Sequence, residues 1–266
     1  MPATRHFFIG VAHLSAIVRR LVYPMLRSLT IRGGSQMDDS ILQDQLRYYR
    51  ERAAEYEQFY TRQGRYDHGP RTNQNFLSDL AVLQQFVASQ KGLGDVLEFA
   101  CGTGYWTQEL VKNASSLTAV DGAPEMLAIA KGRTASKQVE WVCADLFSFE
   151  PARKFDTIFF GFWLSHVPHA RFDAFWRMVR EAATPQTSVL FLDSRFEPTS
   201  TAKDHVLNDA NADRVRRRLN DGREFEIVKI FHKPQELRER LERLGWNFEV
   251  HSTPQYFLYG RGSTAH

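Results

Sequence analysis

Residues 96–107, which read VLEFACGTGYWT, decide the fold of this chain. The apolar residues at 95–99 predict a short buried strand, and Gly102 and Gly104 follow it directly. Glycine lets a backbone turn sharply and come close to a ligand. The stretch at 105–112 then predicts a helix. A strand, a glycine turn and a helix in this order indicate a ligand site at the carboxyl end of the strand.

The alternation of strand and helix continues beyond this stretch. Strands are predicted at 117–120, 139–143, 155–160 and 189–192, and helices at 124–131 and 172–182. Two amphipathic helices are predicted before it, at 40–64 and 75–90. The last third predicts a polar helix at 199–219, a strand at 225–231, a helix at 234–244, and a closing hairpin of 246–252 and 255–259. The whole pattern predicts an α/β fold with a mostly parallel sheet.

An acidic residue stands at the end of each of the first three predicted strands: Glu98, Asp121 and Asp145. Asp121 is placed to accept hydrogen bonds from two ribose hydroxyls. A dinucleotide site requires a third glycine, but Thr107 occupies that position, and the Glu98 carboxylate suits a cationic ligand group better than a phosphate. An adenosine ligand with a positive amino acid, such as S-adenosylmethionine, fits. The alternative, that each acid only caps a turn or helix, explains one acid more readily than three.

Four segments in this order resemble the motifs of the class I S-adenosylmethionine-dependent methyltransferases. They are VLEFACGTGYWT at 96–107, LTAVDGAPEMLAIAK at 117–131, VCADLF at 142–147 and FDTIFFGFWLSHVP at 155–168. The resemblance covers about residues 48–260 and departs from the family at Ala100, where the family often has its first glycine. It implies a Rossmann-like, seven-stranded, mostly parallel sheet with an antiparallel C-terminal hairpin and helices on both faces. It also implies S-adenosyl-L-methionine as the cofactor.

The resemblance assigns parts of the cofactor to particular residues. Glu98 and the glycine loop would hold the methionine part, Asp121 the ribose, and Asp145 with Leu146 the adenine. The segment YYRERAAEYE at 48–57 looks like the family's cofactor-covering segment, with an amphipathic helix packed on the sheet as the alternative. The full implied set is Glu98, Ala100, Gly102, Gly104, Asp121, Gly122, Met126, Asp145, Leu146, Tyr49 and Arg52.

Methyl transfer from a sulfonium is a displacement that positioning alone can accelerate strongly. A general base is needed only when the acceptor carries a proton at the working pH. His166, after the strand at 155–160, is the candidate base, because the pKa of histidine lies near 6.5. The alternative is a histidine that only packs or bonds to the backbone.

Three residues are candidate acceptor contacts: Trp163, Tyr56 and Arg195. Trp163 would form an aromatic wall with Phe162 and Tyr105, or else all three belong to the core. Arg65 and Tyr66 are further candidates. The four arginines of the run at 214–219 would bind an acidic acceptor or nucleic acid if they faced the site, although a solvated helix face is commoner. Only in that orientation would the arginines favour an acceptor that bears a carboxylate.

The basic excess of the chain sits in residues 1–37. The whole sequence carries 34 basic and 31 acidic residues, whereas residues 1–37 hold five arginines and no lysine or acid, so that the rest has a net charge of −2. This segment is expected to be a targeting segment, a disordered tail or a translated upstream region, and its apolar part is too short to span a bilayer. The protein is expected in the cytoplasm, or in an organelle if the segment is a transit peptide.

Residues 38–266 are expected to form one domain. It would comprise lid helices at about 40–90, a cofactor-binding core at about 95–195, and acceptor-side and closing elements at about 196–262. The composition, with 43% hydrophobic and 24% charged residues, excludes a mainly disordered or collagen-like chain. Two cysteines without neighbouring His or Cys spacing predict no metal site and no disulfide scaffold.

The sequence predicts an enzyme that moves a methyl group to O, N or S of a small-molecule acceptor. A non-catalytic S-adenosylmethionine-binding protein is the alternative, because no motif identifies the acceptor site. A nucleic-acid methyltransferase is disfavoured, since no Pro-Pro-aromatic motif follows the strand at 155–160 and a net charge of −2 offers no phosphate footprint. The missing third glycine disfavours a nicotinamide oxidoreductase. No nucleic-acid partner and no stable membrane insertion are expected, and the oligomeric state is not predicted.

Overall fold

The structure is a computed structural model, and it describes residues 36–134, 136–207 and 209–265. The expectations for residues 1–37 therefore lie outside the described residues, except that Gln36 and Met37 begin a helix. The sheet, the cavities and the side chains discussed below all belong to the unit Ile41–His266. Of the unit that precedes it, only residues 36–40 are described.

Seven strands form one sheet in the order β3-β2-β1-β4-β5-β9-β8. The strands of this sheet are β1 Gly94–Phe99, β2 Ala114–Asp121, β3 Val139–Cys143, β4 Phe155–Gly161, β5 Ala183–Ser194, β8 Trp246–Ser252 and β9 Phe257–Thr264. The first five pair in parallel, and β9 is antiparallel to both β5 and β8. The predicted Rossmann-like sheet with an antiparallel C-terminal hairpin is confirmed. Its strand order reverses between β1 and β4, which is where open sheets of this kind bind ligands.

Helices cover both faces of the sheet because alternate strand residues are apolar on both sides. The helices are α1 Gln36–Arg52, α2 Gln58–Thr61, α3 Pro70–Ser89, α4 Thr107–Leu110, α5 Pro124–Arg133, α6 Phe172–Ala182 and α7 Pro234–Arg243. On one face Leu97 packs in a core with Trp176 of α6, and on the other Val96 packs with Leu83 of α3. Among the described residues, no helix has the length and apolarity needed to cross a bilayer.

The predicted helix at 40–64 is broken in the structure. α1 ends at Arg52, a short 3-10 turn follows at Ala53–Glu55, and α2 ends at Thr61, followed by Arg62, whose φ is +55°. The break separates two packing environments. Tyr48, before it, packs on Phe225, whereas Tyr60, after it, packs beneath α3 in the core.

The prediction of a helix at 199–219 is wrong. Residues Arg214–Arg218 form strand β6, which pairs antiparallel with β7, Glu224–Val228, in a separate two-stranded sheet. Val215 and Arg217 point inward while Arg216 is exposed, so the segment has the period of two that belongs to a strand. Arg216 lies 3.5 Å from Glu224 across the hairpin, and such cross-strand pairs of opposite charge favour the strand pairing.

Candidate functional site

The turn after β1 holds its shape through backbone conformations that most residues avoid. Gly102 and Gly104 have φ values of +54° and +77°. A Cβ atom on Gly104 would lie 3.0 Å from Cβ of Ala130 in α5, so only glycine lets the turn pack this closely. Ala100 has a φ of +53°, a conformation that costs a non-glycine residue about 1 kcal/mol. The departure from the family glycine therefore falls on a strained position.

Asp121, at the end of β2, joins the turn after β1 to the start of α5. Its two carboxylate oxygens accept hydrogen bonds from the backbone N–H groups of Gly102 and Ala123, each at 2.8 Å. Burial raises the pKa of Asp121 to about 6, although these hydrogen bonds oppose the shift. Asp145, which follows β3, likewise accepts from the backbone N–H of Phe147 at 3.0 Å. The two carboxylates are thus oriented by backbone groups of their own loops.

A first cavity of about 770 Å³, counting its open mouth, lies at these strand ends. Its wall combines residues from the strand ends, from α1 and from the loop after β4. The lining residues are Leu42, Gln43, Gln45, Leu46, Tyr49, Tyr56, Ala100, Gly102, Asp121, Gly122, Met126, Asp145, Leu146, Phe147, Gly161, Phe162, Trp163 and His166. The indole N–H of Trp163 is buried and has no hydrogen-bond partner in the described part of the chain. A ligand in this cavity could accept from it.

Helix α1 lies over the first cavity and is fixed there by a buried glutamine. Gln45 donates from Nε2 to the carbonyl of His166 at 3.3 Å and accepts at Oε1 from the backbone N–H of Val228 at 3.1 Å. The adjacent Leu46 lies so close to Gly122 that a Cβ atom on Gly122 would be 3.0 Å from Cδ1 of Leu46. The helix therefore forms one wall of the cavity.

His166 is a buried, neutral imidazole at the boundary of two cavities. Its Nδ1 lies 2.7 Å from the carbonyl of Val228, which can only accept, so Nδ1 carries the proton. Nε2 therefore holds the lone pair and accepts from the hydroxyl of Tyr49 at 2.8 Å. Burial lowers the pKa of His166 well below its usual value, and the charge of Lys229 lowers it further.

A second cavity of about 540 Å³, counting its mouth, adjoins the first one. Both cavities are lined by Tyr49, Tyr56, Phe162 and His166. The remaining residues of the second cavity are Arg52, Phe59, Tyr66, Ser194, Ser200, Thr201, Arg217, Lys229 and Phe231. Phe162, between the cavities, has a φ of +58°, which is a costly conformation for a bulky residue and is typical of functional sites.

Three buried cations line the second cavity. Arg52, Arg217 and Lys229 are 8%, 7% and 6% exposed. Lys229 lies 3.6 Å from a carboxylate oxygen of the fully buried Asp193. Within the described ranges, neither guanidinium has a carboxylate within 4.0 Å, and Arg52 instead donates to the hydroxyl of Tyr66 at 2.7 Å. Burial lowers the pKa of Arg217, and repulsion from Arg52 adds to this.

Most residues predicted to contact the cofactor line the first cavity, and three lie elsewhere. Glu98 is buried in β1, where it accepts from the hydroxyl of Thr107 at 2.6 Å, and burial raises its pKa to about 8. Gly104 packs on α5. Arg52 lines the second cavity, because α1 ends there. The structure thus brings Ala100, Gly102, Asp121, Gly122, Met126, Asp145, Leu146 and Tyr49 together in one cavity.

The predicted acceptor contacts are more scattered. Tyr56 lines both cavities, whereas Trp163 lines the first one beside Phe147, their rings 5.3 Å apart. Arg195 is outside the lining of both cavities as the described residues define them, because its guanidinium donates to the carbonyls of Thr253 and Pro254. Tyr66 lines the second cavity, and Arg65 instead pairs with acids at the surface.

Sequence reasoning missed Arg217 and Lys229 as individual site residues. Arg217 belongs to the arginine run that was predicted as a helix, and only strand alternation separates it from its exposed neighbours Arg216 and Arg218. Lys229 directly follows β7 and reaches Ser165 at 2.8 Å. The signal that could have identified Arg217 is the period of two in RVRRR, set against EFEIV ten residues later.

The chain resembles known proteins along most of its length. Residues 96–186 match the family described as methyltransferase domain. The solved DhpI-SAH complex structure is 39% identical in sequence and covers 85% of this chain and 97% of that one, with a TM-score of 0.66. For the DhpI-SAM-HEP complex the identity is 40%, the coverage 84% and 97%, and the TM-score 0.67.

A second group of relatives is matched over a short segment. Malonyl-[acyl-carrier protein] O-methyltransferase of Anoxybacillus flavithermus is 42% identical over 66 residues, which are 24% of this chain and 25% of that protein. The enzyme of the same name from Acetivibrio thermocellus is 36% identical over 79 residues, 29% of this chain and 28% of that protein. The match therefore spans about a quarter of the length of these curated relatives.

Proposed function

Because this chain belongs to the class I S-adenosylmethionine-dependent methyltransferases, it is an enzyme whose methyl donor is S-adenosylmethionine, and we propose that the acceptor is an anionic oxygen of a small molecule. The observation that carries the proposal is the pair Arg52 and Arg217, two buried guanidiniums beside the first cavity that have no carboxylate partner among the described residues. A neutral amine or thiol acceptor would leave both charges without a counter-charge.

The first cavity is proposed as the donor site because its chemistry suits an adenosine ligand. Asp121 would accept from the ribose hydroxyls, and Asp145 with the backbone at Leu146 would bind the adenine. A Cβ atom on Gly102 would meet nothing within 4 Å, so the open backbone there is free for the methionine part. The buried N–H of Trp163 offers a donor to the same ligand. Contacts from Glu98, Gly104 and Arg52 to the donor stay predictions.

The second cavity is proposed as the acceptor site because its charges are unbalanced. Three buried cations line it, and among the described residues only Lys229 has a carboxylate within 4.0 Å, that of Asp193. Burying like charges together is costly unless a counter-ion or hydrogen bonds compensate them. An anionic acceptor supplies that compensation, and guanidinium groups match the oxygens of carboxylate and phosphate well. The aromatic residues Phe59 and Phe231 in the cavity wall suit a small molecule with an apolar part.

Positioning is the contribution we propose for these residues. S-adenosylmethionine, when bound, supplies a methyl group on a sulfonium, which leaves as a neutral thioether. An oxyanion already carries the attacking lone pair, so no proton has to be removed from it. The cations that bind it also lower its nucleophilicity, and alignment therefore has to provide most of the acceleration. Phe162, Tyr49 and Tyr56, which line both cavities, exclude water between the reacting groups.

His166 keeps its predicted role as a base for one kind of acceptor only. Its Nε2 lone pair receives the hydroxyl of Tyr49, which itself lines both cavities. A neutral hydroxyl acceptor could pass its proton to His166 through Tyr49. For an anionic acceptor, Tyr49 and His166 would only line the cavity, and the rate should not depend on the basicity of His166.

The names of the curated relatives support oxygen as the accepting atom, since those enzymes are O-methyltransferases of malonyl-[acyl-carrier protein]. This chain matches only about a quarter of the length of those relatives, so the carrier protein is not proposed as a partner here. A small molecule that carries a carboxylate or a phosphorus oxyacid fits the second cavity on charge alone.

A screen with methyl-labelled S-adenosylmethionine tests the proposal. It should include matched sets of carboxylic acids, phosphorus oxyacids, phenols, amines and thiols, and we expect label to enter the first two sets as methyl esters, which are base-labile for the carboxylic acids and base-stable for the phosphorus oxyacids. Label that enters only amines or thiols would contradict the proposal. For the best acceptor, His166→Ala should keep the pH dependence of kcat if the acceptor is an anion. A lost limb in that profile would instead identify His166 as the base.

A further inference from the structure

The arginines of strand β6 lie in two different environments. Arg216 and Arg218 point to solvent and pair with the carboxylate of Glu224. Arg217 points into the second cavity, where Nη1 donates to the hydroxyl of Thr201 at 2.9 Å and lies 3.3 Å from Nδ1 of His205. The exposed arginines therefore have charged partners, and the buried arginine has neutral ones.

His205 is itself fixed on both sides. One ring nitrogen bonds to the hydroxyl of Thr201 at 2.9 Å, and the other accepts from the backbone N–H of Arg218 at 2.9 Å. The ring is 6% exposed. Burial lowers the pKa of His205 to about 2, and the charge of Arg217 adds to this, so the ring is neutral at any working pH. Thr201, His205 and the backbone of β6 thus form a small neutral network around one guanidinium.

The neutrality of this network has a physical consequence for ligand binding. A carboxylate partner would orient Arg217 equally well, but it would also cancel most of the attraction between the guanidinium and an incoming anion. The Thr201 hydroxyl accepts from the guanidinium, and the neutral His205 imidazole donates from Nδ1 to that hydroxyl and holds it in place, and neither group adds charge. They fix the direction of the side chain, which reduces the entropy lost when a ligand binds, and they leave the positive charge available.

We propose that Thr201 and His205 are positioning residues that hold Arg217 toward the acceptor, and that the absence of charge on both sets the affinity of the second cavity for anions. This inference rests on the proposed function, since it assumes that Arg217 binds the acceptor. Neither residue has to touch the acceptor for it to hold. The expected signature is a change in acceptor KM with little change in kcat or in donor binding.

Two substitutions at Thr201 separate the hydrogen bond from the shape of the side chain. Thr201→Val removes the hydroxyl at nearly constant volume, and loss of one hydrogen bond to a charged group should raise the acceptor KM about tenfold. Thr201→Ser keeps the hydroxyl and should restore the value to within about twofold. Thr201→Asp, which adds a charge, should raise the KM by more than Thr201→Val does. His205→Leu should act in the same direction as Thr201→Val.

Thr199→Val is the matched control. The Thr199 hydroxyl bonds to Glu197 at 2.8 Å in the same segment, and Thr199 is not among the described residues that line the second cavity. Its removal should leave the acceptor KM unchanged even if it lowers the melting temperature. Binding of malonate and of inorganic phosphate, measured by calorimetry with S-adenosylhomocysteine present, gives a second readout that needs no turnover.

The outcomes distinguish a failure of the proposed function from a failure of the positioning role. If the wild-type enzyme binds neither anion and methylates no oxyanion, the proposed function fails. If it does bind them, but Thr201→Val and Thr201→Asp bind them as tightly as wild type, the positioning role is wrong. If Thr201→Val and Thr199→Val weaken anion binding equally, the role of Thr201 is only structural, which also overturns the inference.

Discussion

The two adjoining cavities share four wall residues but have opposite charge. The first is lined by the carboxylates of Asp121 and Asp145, and the second by the cations Arg52, Arg217 and Lys229. The carboxylates of the first cavity come from the ends of sheet strands, where backbone hydrogen bonds fix them. The cations of the second come from the end of α1, from β6 and from the residue after β7, and β6 and β7 lie outside the main sheet.

The difference indicates how the two halves of the site are specified. A carboxylate at a strand end keeps its place as long as the sheet forms, so the local sequence of the strand determines its position. A cation on the β6–β7 hairpin reaches the site because other segments hold the hairpin in place, among them α1, whose Tyr48 packs on it. The proposed donor half is therefore a property of the sheet, whereas the proposed acceptor half is a property of the elements added to it. The predictions below test whether the halves can be altered separately.

The largest separate effect is expected from Arg217→Met. Loss of a buried charge that binds an anion costs 2–5 kcal/mol, so the acceptor KM should rise about 100-fold. The Kd of S-adenosylhomocysteine should change less than about threefold, because Arg217 is not among the described residues that line the first cavity. Isothermal calorimetry and steady-state kinetics measure the two values.

Arg216→Met is the control for this prediction, since Arg216 is the adjacent residue of the same strand and its side chain is 78% exposed. It should leave both constants near those of wild type. Equal effects of the two substitutions would mean that the hairpin acts through its overall charge or fold, and the proposed acceptor site would then be wrong.

The grouping of residues around the first cavity could be predicted from the sequence for the same physical reason. The strand at Val139–Cys143 and the helix at Phe172–Ala182 have the predicted bounds, because each has a strong local pattern of apolar residues. The fold, the turn after β1 and the cluster around Asp121 follow from such patterns. The roles assigned to these residues remain predictions, but their proximity is a feature of the structure.

The acceptor half could not be predicted in the same way. Four arginines in five residues dominate RVRRR, so the alternation that makes Arg217 buried is masked by polar character on both faces. The break after Arg52, which turns that side chain into the second cavity, has no proline or glycine to signal it. Both features depend on contacts between segments more than 100 residues apart, such as Gln45 with His166 and Val228.

A smaller effect, on the first cavity instead of the second, is expected from Asp121→Asn. An amide cannot replace both charge-assisted acceptors, so donor binding should weaken about 20-fold while binding of malonate changes little. The amide also meets the N–H groups of Gly102 and Ala123, so a lower melting temperature is expected as well. Calorimetry with S-adenosylhomocysteine and with malonate measures both sites on one sample.

The control for this prediction is Asp95→Asn, at the opposite end of β1. That carboxylate pairs with Arg153 at 2.7 Å near the surface and should not affect either ligand. Equal weakening of donor and anion binding by Asp121→Asn would show that the two cavities are not separable, which would contradict the comparison.

The smallest effect is a pH dependence of anion binding in the second cavity. Burial lowers the pKa of Lys229 to about 8, although the nearby Asp193 opposes the shift. Lys229 is therefore charged below pH about 8 and loses its charge above it, so the acceptor KM should rise about fivefold between pH 7 and pH 9. Malonate is the suitable probe, because both of its carboxylates are ionised throughout this range.

Lys229→Arg sharpens this prediction, because a guanidinium keeps its charge at pH 9. The variant should bind malonate with an affinity that no longer depends on pH between 7 and 9, whatever its absolute value. His166 and His205 do not confuse the result, since burial holds the pKa of each below its usual value and both are already neutral at pH 7. A wild-type profile that is flat for malonate would remove Lys229 from the proposed anion site and leave the two guanidiniums to bind the acceptor alone.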